Sequence, residues 1–95
     1  MSTEVQLEQS SAEERVYPLD FEPALLEGVT LTGVDVTHVP PSGAPLVISG
    51  TVIGNIGYVP LPTGLVLGVH LFSVIGLTTN ADHSPEILLI VTVLR

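Results

Sequence analysis

Residues 70–93 read HLFSVIGLTTNADHSPEILLIVTV, two β-branched, apolar runs around a polar turn. Neither run alternates cleanly between apolar and polar. In the second, Ile87, Leu89, Val91 and Val93 take one face of an extended strand, while Leu88, Ile90 and Leu94 take the other, broken only by Thr92. In the first, Leu71, Ile75 and Leu77 stand opposite Phe72 and Val74. A solitary antiparallel sandwich turns one face of each sheet to water, and its outward positions should be polar. Two faces this apolar cannot both enter one small core. One of them is expected to pack on copies of the chain or on another protein, because bare apolar surface costs about 25 cal/mol per Å². Leu71, Phe72, Val74, Ile75, Leu88 and Ile90 are the candidates for core or subunit packing; the alternation does not say which face is which.

Composition sharpens the same point. A 95-residue chain is one domain with a modest core. Yet 45% of its residues are hydrophobic and only 13% are charged, against about 25% in an ordinary globular chain. The net charge is −8, with no lysine and only Arg15 and Arg95 as bases. That disfavours nucleic acid and an anionic membrane as partners, since binding either calls for clustered cations on the protein. Without cysteine there are no disulfides, thiolate metal sites or thiol nucleophiles. The polar, acidic opening MSTEVQLEQSSAEER does not read as a signal peptide, and the longest apolar stretch, residues 65–77, is too short to span a bilayer.

Charge divides the chain. Seven of the ten acids fall within residues 1–27, whereas residues 36–81 carry none. This pattern predicts an extended polar arm over residues 1–18 and a β-sandwich over residues 19–95. Ser11-x-x-Glu14 is a candidate helix cap in the arm, and Val5 and Leu7 are candidates for docking it on a neighbour. The body reads as all-β, a small immunoglobulin-like or jelly-roll-like sandwich. Val29-Thr-Leu-Thr and Val34-Asp-Val-Thr alternate in opposite phase around Gly33, which predicts a β-bulge. VPPSGAP (39–45) predicts a turn, and LVISGTVI (46–53) a strand with Leu46, Ile48 and Val52 on one face. NIGYVPLPTG (55–64) reads as a loop or edge segment because of its prolines. Helix is expected only near PALLEG (23–28) and in the arm.

Little in the chain suggests chemistry. His38, His70 and His83 lack the spacing of a local metal site. His70 is expected as a hydrogen-bonded interior residue and His83 as a solvated turn residue. Ser49, Ser73 and Ser84 lie in no nucleophile elbow. Asp82 and Glu86 offer a possible carboxylate pair across a turn, for which exposed loop acids are the commoner explanation. No catalytic residue, metal site or cofactor is assigned, and the expectation is a non-enzymatic protein.

From LDFEPALLEGVTLTGVDV onward the chain resembles small virion proteins of tailed bacteriophages that are built on an immunoglobulin-like sandwich. The resemblance is carried by Leu19, Asp20 and Phe21 near a short turn, and by Gly28, Thr30 and Leu31 opening a strand. It continues in the ending LFSVIGLTTNADHSPEILLIVTV, and it covers roughly residues 19–95. The chain departs from the usual members in lacking tryptophan and in reading VLGVH before the penultimate strand. The resemblance implies a structural role as a head decoration or cement subunit on the capsid exterior, made in the host cytoplasm. It implies homo-oligomers, a trimer favoured, and the major capsid protein as partner. The alternatives are a tail, connector or fibre component, or a carbohydrate-binding sandwich, which would call for aromatics beyond Tyr17, Phe21, Tyr58 and Phe72.

Overall fold

The computed structural model describes residues 3–12 and 14–95. It is built from eight strands: β1 Thr3–Gln9, β2 Arg15–Asp20, β3 Leu31–Val39, β4 Leu46–Ser49, β5 Thr51–Ile53, β6 Ile56–Leu61, β7 Gly68–Thr78 and β8 Glu86–Val93. They form a five-stranded sheet, β1-β8-β7-β3-β4, packed on a three-stranded sheet, β2-β6-β5. All neighbours are antiparallel except β1, which runs parallel to β8. The fold is a β-sandwich, and its strand order is that of a variable-type immunoglobulin domain. There β2, β6 and β5 stand as B, E and D, and β8, β7, β3 and β4 as G, F, C and C′. The helix expected near residues 23–28 is a single 3₁₀ turn, Glu22–Ala24.

Four expectations are corrected by this architecture. Residues 3–9 are not an arm but an edge strand of the large sheet. Thr3-Glu-Val-Gln-Leu-Glu-Gln alternates with period two, so Val5 and Leu7 pack against the chain's own core and Glu4, Gln6 and Glu8 face out. The boundary at residue 18 therefore falls inside β2. Met1, Ser2 and Glu13, within the expected arm, lie outside the described residues. Ser11 and Ala12 form a turn in place of the capped helix.

LVISGTVI is two strands of different sheets, joined at Gly50. A Cβ there would lie 2.6 Å from Val34 Cγ2 and 3.0 Å from the Tyr58 carbonyl oxygen, so only glycine lets the chain cross at this point. Residues 56–61, expected as a loop or edge, are the central strand of the small sheet. Pro60 is tolerated because β5 reaches only as far as Tyr58 along β6, which leaves Pro60 with one neighbouring strand. The expected bulge is present: pairing with β7 shifts between Leu31 and Gly33.

One aromatic ring joins the two layers. Phe21, fully buried, follows β2 and lies between Gly57 of the small sheet and Gly76 of the large one. A Cβ on either glycine would come within 3.2 Å of the ring. The Phe21 N–H donates to the Asn55 carbonyl at 2.9 Å, and the Asn55 side chain accepts from the Leu31 N–H at 3.0 Å. The turn before β6 is thereby tied to both ends of the β2–β3 crossing. The core continues through Leu19, Val36, Val59, Leu61, Phe72 and Leu89.

Replacing Phe21 by alanine removes that bridge and leaves a cavity no neighbour can fill. Phe21→Ala should lower unfolding stability by about 3–5 kcal/mol, and Gly50→Ala by about 1–3 kcal/mol through overpacking. Urea titration followed by circular dichroism reads both; a Gly50→Ala protein as stable as wild type would contradict the close crossing.

Candidate interaction face

The two-faced strands divide cleanly. Phe72, Val74, Ile87, Leu89, Val91 and Val93 point between the sheets and are buried. Leu71, Ile75, Leu88 and Ile90 point away from the small sheet, on the outer face of the large one. Of the six packing candidates, Phe72 and Val74 are therefore core, and the other four form an external patch. Val5 and Leu7, the candidates for docking on a neighbour, are instead engaged within the sandwich.

Strand register lays out this face row by row. One row runs Glu4–Leu88–Ser73–Thr37–Val47, and the next runs Gln6–Ile90–Leu71–Val39. Above them lies Glu86–Ile75–Asp35–Ser49, and below them Glu8–Thr92–Val69. Leucine, isoleucine and valine occupy the centre on β7 and β8, continued by Val39 on β3 and interrupted by Ser73 and Thr37. Carboxylates stand around it, Glu4 and Glu8 along β1, with Glu86 and Asp35 on either side of Ile75. Ser73 Oγ donates to Glu86 Oε2 at 2.6 Å, which holds that carboxylate over the sheet. The apolar centre spans about three strands by six residues, roughly 300 Å² of sheet at ordinary strand spacing. The largest apolar patch of a monomer is commonly about this size and is often functional.

A second uncharged surface lies along the β4–β5 side. Leu46 is 56% exposed and Ile53 70%, and neither strand carries a charge or a proline. Natural edges are usually protected by such residues; here the protection is only the shortness of the strands.

The sequence missed a contact between its histidines. His38 on β3 stands opposite Phe72 on β7, and His70 is two residues away on the same inward face. His38 Nε2 lies 2.8 Å from His70 Nδ1, and His70 Nε2 lies 2.7 Å from the Val66 carbonyl oxygen. A carbonyl only accepts, so His70 carries its proton on Nε2, its Nδ1 accepts, and His38 Nε2 donates. The His38 ring also stacks on Phe72 at 4.4 Å between centroids with 3° between planes. His70 thus ties the start of β7 to the preceding loop, the position where immunoglobulin sandwiches use a tyrosine. The register of β3 on β7 was the missing signal, since the two histidines are 32 residues apart.

The other candidates are held structurally. His83, expected to be solvated, donates from Nε2 to the Ala24 carbonyl at 3.0 Å and joins the β7–β8 turn to the β2–β3 crossing. Ser73 bonds Glu86 rather than an imidazole. Asp82 is exposed, with its N–H on Asn80 Oδ1, while Glu86 is engaged by Ser73. Among the described residues no group of three or more histidines and acids is placed to hold a metal ion. Phe21 and Phe72 are buried and Tyr17 packs on the core, which leaves Tyr58 as the aromatic on an outer sheet face. No protein family, curated protein or solved structure matches this chain.

Leu88 and Leu89 are neighbours on opposite faces and test the assignment directly. Leu88→Asp should keep the fold, costing about 1 kcal/mol or less, while Leu89→Asp should abolish cooperative unfolding by burying a charge. Circular dichroism distinguishes the two.

Burial, and then the neighbouring His70, lower the pKa of His38 from 6.5. The unfolded chain takes up that proton near pH 6.5, and the native protein only at lower pH. Stability is therefore complete above that value and falls as pH drops through the window below it. Urea midpoints between pH 8 and pH 5 (about that range) should fall on acidification, and His38→Phe should flatten the fall.

Proposed function

We propose that this chain is a non-enzymatic structural subunit of a bacteriophage virion, a decoration or cement protein on the capsid exterior. The observation that carries the reading is the external patch of Leu71, Ile75, Leu88 and Ile90 on a sandwich whose core is already complete without it. A chain that needs these residues neither for its own core nor for solubility has them for a neighbour. The resemblance of residues 19–95 to phage virion sandwiches points the same way.

In this reading the subunit has two uses for its surface. The outer face of the large sheet docks on the major capsid protein. The uncharged β4–β5 side meets other copies, because with a net charge of −8 copies approach with least repulsion where no acid lies. Leu46 and Ile53 are the exposed side chains available there. The acidic β1 then stands at the periphery of the oligomer, for which a trimer is the favoured state. Capsomers are tied together because one oligomer presents several docking faces at once, which raises the effective concentration of each.

Light scattering over a concentration series reads the first half of this mechanism. The protein should run as a closed oligomer, and Ile53→Lys should lower its mass toward that of the single chain without loss of β structure. A monomer at every concentration would instead favour a small binding module.

A further inference from the structure

The outer face also restricts what can cover it. Its apolar centre of roughly 300 Å² is smaller than the ~800 Å² that each partner gives to a stable interface. An occupant that binds stably must therefore extend past the centre and over its border. That border holds Glu4 beside Leu88, Glu8 beside Thr92, and Asp35 and Glu86 flanking Ile75. Glu4, Glu8 and Asp35 are exposed, and Glu86 is fixed by Ser73. All four would lie inside or at the rim of the footprint.

A second copy is a poor occupant. It would bring the same four carboxylates and no lysine, and its two arginines lie off this face, Arg15 on β2 of the other sheet and Arg95 beyond the end of β8. Desolvated like charges with no counter-charge oppose association. An anionic lipid surface fails for the same reason. We infer that the outer face of the large sheet takes a different protein, one presenting an apolar centre bordered by lysine or arginine. This rests on the reading of that face as the docking surface, and it names the chemistry of the capsid-protein surface that would fit.

The chain itself supplies a probe. In the variant Glu4→Lys/Glu8→Lys/Asp35→Lys all three replaced side chains are exposed, the apolar centre is untouched, and the border becomes basic. Wild type mixed with this variant at low ionic strength should form complexes heavier than either protein alone. Raising salt to about 0.5 M should weaken that association about tenfold or more. Leu88→Asp in either component should abolish it. If the triple variant does not fold, Glu4→Lys/Glu8→Lys on the edge strand replaces it. Two results would overturn the inference: no added mass on mixing folded proteins, or a fall in the native mass of wild type on Leu88→Asp, which would place a second copy on the face. The Ile53→Lys variant, on β5 of the small sheet, reads the β4–β5 side separately, so the oligomer and the docking face can fail independently.

Discussion

The sandwich depends on a ring held between two glycines. Phe21 fills the space between Gly57 and Gly76, one from each sheet, at the end where the chain crosses from β2 to β3. Any larger residue at either glycine would push the layers apart or expel the ring. Because the ring is fixed, the Asn55 turn closes over it through two hydrogen bonds. The crossing at Gly50 does the equivalent beside it, against the same Val34 that Gly57 meets, where β4 and β5 pass from one layer to the other. Both devices allow close approach of layers in a chain too small to hold them together by core volume alone.

Once the layers are fixed, the role of β7 and β8 follows. β8 lies between β1 and β7, so its backbone is paired on both edges, and only its two faces remain to be satisfied. The small sheet covers one. The other, with its leucines and isoleucines, sits at the centre of a field of carboxylates. Apolar centre and acidic border are thus consequences of one arrangement: β1 contributes Glu4 and Glu8 because its other alternate residues, Val5 and Leu7, are needed inside. The charge that keeps an apolar chain in solution also selects what can cover it.

The histidine pair shows a different economy. Two imidazoles bury themselves by using each other and one loop carbonyl, so the polar atoms His70 brings into the core are both satisfied. The price is acid sensitivity, because burial and the neighbouring His70 oppose a second proton on His38. The same bond positions Val66, linking the β6–β7 loop to the interior of the large sheet.

The class of fold and the character of its surfaces are legible in the residue pattern alone. Period-two patterning, the proline-rich turn at 39–45 and the phase slip at Gly33 specify an all-β body with a bulge where one is found. The doubled apolar faces of residues 70–93 and the charge-free run 36–81 foretell an external apolar patch. Which face is which follows from how the two layers pack. Period two separates Leu88 from Leu89 but gives both the same hydropathy, and the choice is made by where the small sheet lies. Tertiary structure also decides that Val5 and Leu7 belong to this chain's own core, that Gly50 divides one apparent strand between two sheets, and that His38 meets His70. Each is a pairing across dozens of residues, set by strand register and layer packing, which local pattern does not encode.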